Sequence, residues 1–81
     1  MLVVELTYKV SLEKVNQSLE SHRDFLATAY TQGKIIASGP KEPRDGGIIL
    51  STIDKKDMEK LIQDDPFYVE GLADYRIIEF S

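Results

Sequence analysis

The hydrophobic pattern changes period along the chain, and each change marks an element. Leu2, Val4, Leu6 and Tyr8 alternate with Val3, Glu5 and Thr7. That is the two-residue period of a strand with two distinct faces. From Leu12 the period lengthens. Leu12, Val15, Leu19, His22, Leu26 and Ala29 recur at spacings of three and four, which is the core-facing stripe of an amphipathic helix. Ser11 stands before it as a cap, its hydroxyl free to accept from a first-turn amide. Helical patterning runs to about Gln32, and Gly33 follows, the residue expected just past a helix end.

The second half reads in shorter pieces. Lys34–Ser38 predicts a second strand, stopped by Gly39-Pro40. Lys41–Gly47 is turn-rich, with Pro43 and Asp45-Gly46 as its main signals. Ile48–Ile53 predicts the third strand. Asp54 caps a short helix with an apolar stripe of Met58, Leu61 and Ile62. Asp65-Pro66 ends that helix or starts a new turn, Gly71 breaks the next segment, and Tyr75–Phe80 predicts the last strand.

The order β-α-β-β-α-β predicts an α+β, ferredoxin-like fold. Four antiparallel strands carry both helices on one face. With no repeat or linker, residues 1–81 form one expected domain. Two helices cover only one face of the sheet, yet strands two and three are apolar at consecutive positions, Ile35-Ile36-Ala37 and Ile48-Ile49-Leu50. Unless Phe80 or loops cover it, the second face is an association site. The expected assembly is a homodimer with sheet packed on sheet. A chain this short buries only about 60% of its unfolded surface alone, so a second subunit adds stability.

Composition removes whole classes of function. The chain is 42% hydrophobic and 30% charged, as ordinary globular proteins are. Its net charge is −4 with both signs mixed, and no basic stripe argues for nucleic acid. There is no cysteine, which excludes disulfides and thiolate chemistry. Met1–Leu6 lacks the basic start and apolar run of a leader, and no stretch approaches the roughly 18 apolar residues of a membrane span. The expected location is cytoplasmic, away from membranes.

His22, the only histidine, occupies a position in the apolar stripe where an aliphatic side chain is expected. Such a ring must have its nitrogens satisfied. It is either a structural core residue or, beside a carboxylate, a tunable acid or base. Asp64-Asp65-Pro66-Phe67-Tyr68 offers that carboxylate. Asp65 fits a helix cap, with proline favoured right after it. It equally fits a partner that accepts from the His22 ring and sets its tautomer. Ser38-Gly39-Pro40 and Arg44 are candidates to contact a substrate, Gly39 by close backbone approach and Arg44 by clamping a carboxylate. Phe67 and Tyr68 are candidates too, with a core role as the alternative. One histidine and scattered carboxylates make no metal site, and there is no phosphate loop, dinucleotide fingerprint or nucleophile elbow. Neither metal nor cofactor is expected.

Distance poses a difficulty. In this topology Asp65 and Gly39 lie at one edge, and a single helix would place His22 about 15 Å away along its axis. Either the helix breaks and restarts at Ser21, or Asp65–Asp74 dips inward. The unbroken apolar phase from Leu12 to Ala29 favours one helix and the inward dip.

These residues, taken in order, resemble the YciI-like (YCII-related) family. The match comprises His22 with Phe25-Leu26, then Gly33-Lys34-Ile35-Ile36-Ala37-Ser38-Gly39-Pro40, then Asp65-Pro66-Phe67 and Gly71-Leu72. The resemblance implies a ferredoxin-like fold of the dimeric α+β barrel type, similar also to muconolactone isomerases. It implies a His–Asp pair in a pocket, which falls on His22 and Asp65, with Gly39-Pro40 at the rim. Relatives often carry Arg and Pro shortly before the histidine, and Asn16–Ser21 has neither. A substrate-contacting arginine is thus either missing or replaced by Arg23 or Arg44. The expected function is cofactor-independent acid–base chemistry on a small molecule: elimination, isomerisation or hydrolysis. The alternative is a dimeric metabolite-binding or accessory module without catalysis.

Overall fold

The computed structural model describes residues 1–81. In chain order the elements are β1 (Leu2–Tyr8), α1 (Leu12–Gln17), α2 (Leu19–Thr31), β2 (Ala37–Pro40), β3 (Gly46–Ser51), α3 (Lys55–Ile62), α4 (Pro66–Val69) and β4 (Ala73–Glu79). The strands form one antiparallel sheet in the order β2-β3-β1-β4. This is the expected ferredoxin-like arrangement, with each helical crossing built from two pieces.

Alternation in β1 decides the layers. Leu2, Val4 and Leu6 are buried and pack with Val15, Ala29, Met58, Ile62 and Phe67 from the helices. Cross-strand partners share a face, so the pairs Val4↔Ile49, Val4↔Ile77 and Leu6↔Tyr75 extend this inner face across the sheet. The outer face carries Val3, which pairs with Leu50 on one side and Ile78 on the other. No helix covers it, and no helix of the chain is long and apolar enough to cross a membrane.

Three expectations need correction. The second strand runs Ala37–Pro40, not Lys34–Ser38, and it includes the Gly39-Pro40 pair expected to stop it. It is an edge strand, where a proline without an N–H is tolerated. The third strand starts at Gly46 and ends at Ser51. Asp45-Gly46 is therefore less a turn than the entry to a strand. A Cβ on Gly46 would run into the Leu6 carbonyl oxygen, so only glycine lets β3 lie this close to β1.

The long helix is also not continuous. It breaks at Ser18, three residues before the restart considered at Ser21. Asn16, Gln17 and Ser18 form a weak stretch, because Asn and Ser hydroxyl or amide groups compete for backbone partners. The buried Ser18 instead donates its hydroxyl to both carboxylate oxygens of Glu70, at 2.8 and 3.0 Å. Glu70 is the C-cap of α4. The break in the long helix is thus tied to the segment that dips inward. Past the break, α2 ends as expected. Gly33 takes φ 71°, Gly33 N–H reaches Tyr30 O at 3.0 Å, and Lys34 N–H reaches Ala29 O at 2.9 Å. This is the paired closure that needs a left-handed residue.

Candidate active site

Asp65 is the centre of the site. Its carboxylate is completely buried, yet three donors reach it. As N-cap of α4, it accepts Phe67 N–H on Oδ1 at 3.0 Å, with Pro66 in the first helical position. The His22 ring sits 2.7 Å from the same oxygen through Nδ1. Tyr75 donates its hydroxyl to Oδ2 in a short hydrogen bond. The two readings of Asp65, cap and histidine partner, are both realised on one oxygen.

The carboxylate has no proton of its own to give, so His22 Nδ1 carries the hydrogen in this contact. The tautomer follows: when neutral, His22 presents a lone pair at Nε2. Nε2 has no protein partner, and no buried side-chain nitrogen or oxygen lacks one. Nε2 therefore opens onto accessible space. The ring plane is held as firmly as the nitrogen. Phe67, itself buried, stacks on it with centroids 3.9 Å apart and planes within 2°. Tyr8 meets Phe67 edge-on, with centroids 6.0 Å apart.

The accessible space is a cavity of about 460 Å³ between α2 and the inner face of β1, β2 and β3. That is a size suited to one small molecule. His22 and Phe67 lie on its wall with Leu19 and Leu26 of α2. Ser38, Gly39 and Pro40 line the strand side, and Arg44 closes the loop end. Five of the six expected substrate contacts therefore meet in one place with His22. Tyr68 does not: it is 49% exposed and lies edge-on to Tyr75. Successive helical residues point about 100° apart, so with Phe67 turned inward on α4 its neighbour must turn away.

Tyr75, Tyr30 and Ser18 were not anticipated. Tyr75 was legible in principle. Ala73, Tyr75 and Ile77 alternate on the inner face of β4, and an inward tyrosine needs a partner for its hydroxyl. Tyr30 shares a hydrogen bond with Ser38 at 2.8 Å and so fixes that cavity hydroxyl from outside. The Ser18–Glu70 contact joins residues 52 apart, and no local pattern carries it.

Burial pushes the Tyr75 hydroxyl well above the ordinary tyrosine range, and the nearby Asp65 charge adds to the shift. The folded chain thus holds this proton more tightly than the unfolded chain, which releases it near pH 10. Stability from Tyr75 is intact below pH ~10 and falls as pH rises beyond it, by up to about 1.4 kcal/mol per pH unit. Tyr75→Phe should flatten that decline in denaturant titrations. It should also leave the alkaline tyrosinate absorbance of the folded protein unchanged. A reduced amplitude near pH 10 would mean that Tyr75 ionises in the native state.

Among solved structures, the fold is similar to that of a 5-chloro-2-hydroxyhydroquinone dehydrochlorinase from Burkholderia phenoliruptrix, determined in complex with 2,5-dihydroxybenzoquinone. The TM-score is 0.78 at 17% identity, covering 100% of this chain and 94% of that one. At that identity the likeness is one of fold. No curated protein sequence matches the chain. The family model for the YCII-related domain matches residues 1–81 from end to end. With a β-α-β-β-α-β chain folded as an antiparallel sheet, a histidine and an aspartate in contact and the family model matched over its whole length, the chain belongs to the YCII-related family.

Proposed function

We propose that the cavity is the active site of a cofactor-independent enzyme in which His22 is the acid–base group and Asp65 orients it. The observation that carries this is the His22–Asp65 contact. Nδ1–H is committed to a buried carboxylate, and Nε2 is left free on the cavity wall. A base so held takes a proton from a bound small molecule through Nε2. The electron pair of the broken bond expels a leaving group or shifts along the substrate. The imidazolium, stabilised by Asp65, then returns the proton to the leaving group or to another carbon. Elimination and isomerisation use this sequence. In hydrolysis Nε2 instead takes the proton of a water whose oxygen bonds to the substrate, and the imidazolium returns that proton to the leaving group as its bond breaks. Ser38, Gly39, Pro40, Phe67 and Arg44 are the proposed substrate contacts. The place of work is read as the cytoplasm.

The test is a turnover screen run in matched pairs, parent against His22→Gln. It starts with chloride release from 5-chloro-2-hydroxyhydroquinone, the substrate named for the similar fold. A reaction that His22→Gln performs at the parent rate would remove His22 from the chemistry.

The alternative, a binding or accessory module, draws on one observation. Asp65 already has a structural duty as the cap of α4. On that reading the pair holds the fold, and no reaction depends on it.

The proposed assembly is a homodimer through the outer sheet face. Val3, Leu50 and Ile78 adjoin there by register, and Ile78 is 38% exposed in the single chain. Val3→Lys with Ile78→Lys should leave a monomer by light scattering. A parent chain that is already monomeric at micromolar concentration would refute the dimer.

A further inference from the structure

The charge on the cavity wall is opposite to the charge of the chain. The protein carries a net −4, yet neither aspartate nor glutamate lines the cavity, while Arg23 and Arg44 do. Asp65, the acidic partner of His22, is wholly buried, and its carboxylate is already met by three donors. Neither arginine pairs with a carboxylate. The salt bridges of the chain involve Lys9, Lys41 and His22 only. Arg44 donates to the neutral Asn16 side-chain oxygen at 2.7 Å, which holds the guanidinium against α1 without neutralising it.

Two positive forks without counter-ions, beside an apolar wall, specify a ligand. Guanidinium groups match carboxylates in shape and charge, and an uncompensated pair favours an incoming anion over a neutral molecule of equal size. Leu6, Leu19, Leu26 and Ile49 supply the apolar remainder.

We infer that the cavity selects a small carboxylate with an apolar, ring-sized body, its negative group held by Arg23 and Arg44 and its body against the His22 wall. This rests on reading the cavity as the substrate site, and it narrows the substrates to organic acids. It also answers the missing arginine before His22. The charge is supplied from the next helical position and from the loop between β2 and β3.

The experiment compares carboxylates with their neutral carboxamides. Benzoate and benzamide, and cyclohexanecarboxylate and its amide, are titrated to millimolar concentrations into the uniformly nitrogen-15-labelled protein. Backbone amide shifts of Arg23, Gly39 and Gly47 report binding. Carboxylates should bind at least about tenfold tighter than their amides, the size of one charge-assisted contact. The combined Arg23→Gln, Arg44→Gln variant should lose that preference while its remaining spectrum stays folded. The inference is overturned if no carboxylate shifts these amides or if carboxamides bind as well. It is also overturned if the preference survives in the double arginine variant. A cavity that prefers carboxylates but turns nothing over would sustain this inference and remove only the acid–base reading.

Discussion

Asp65→Ala should destabilise the protein by about 3–5 kcal/mol, the usual cost of removing one partner from a buried charged network. The size follows from what is lost together. The α4 cap alone is worth about 1 kcal/mol. The Tyr75 hydroxyl and His22 Nδ1–H are left facing a site with no acceptor, at about 1–3 kcal/mol for a buried unsatisfied donor. Domains are stable by only about 5–15 kcal/mol, so a large share of the total is at stake. Urea unfolding at fixed protein concentration is the measurement, because association would otherwise shift the midpoint. Asp65→Asn should cost less, since asparagine also caps helices. Its amide N–H₂ cannot accept, so the group facing it must switch from donor to acceptor, Tyr75 through its hydroxyl oxygen or His22 through its other tautomer. A loss below about 1 kcal/mol for Asp65→Ala would mean that water or rearrangement replaces the network.

His22→Gln should lower turnover by about 10²–10⁴-fold, the range that a positioned acid–base group contributes. Glutamine can still offer an N–H towards Asp65, but it has no nitrogen that takes up and returns a proton near neutral pH. The loss belongs in kcat more than in KM, because the cavity walls that hold substrate are unchanged. Stability separates the readings further. If His22 serves the fold, His22→Ala costs about 1–3 kcal/mol by stranding Asp65, and no reaction is lost. If it serves chemistry, turnover falls whatever the stability does, and removing such a group can even stabilise a protein. Turnover of His22→Gln within a factor of about three of the parent would end the catalytic reading, because it is far below the effect of any positioned proton donor.

The route by which His22 meets Asp65 marks how far local pattern reaches. The apolar phase from Leu12 to Ala29 is continuous in sequence, and it argues for one helix. In three dimensions Leu12 is 43% exposed, and the helix is interrupted at Ser18. A helical phase survives a single-residue interruption, so periodicity cannot report one. The inward dip of the segment after Asp65 was the preferred solution, and it is what α4 does, with Phe67 buried under the His22 ring. The dip therefore operates as expected, while the single helix does not form and the break falls at Ser18 rather than at Ser21. The Ser18–Glu70 hydrogen bonds join break and dip.

Sequence alone determined the order of elements, the inner face of the sheet, the cap at Asp65, the odd placement of His22 and the family. Each of these rests on near neighbours: a two-residue or 3.6-residue period, a cap followed by proline, a polar ring in an apolar stripe, short motifs in order. Tertiary structure alone decided the Tyr75 hydroxyl on Asp65, the exclusion of Tyr68 from the cavity and the convergence of Arg23 with Arg44. It also decided that the edge strand runs through Pro40. The Asp65–Tyr75 contact spans 10 positions and the Ser18–Glu70 contact 52, and such contacts form because packing two layers brings distant side chains together. No one-dimensional pattern encodes which pairs that packing selects.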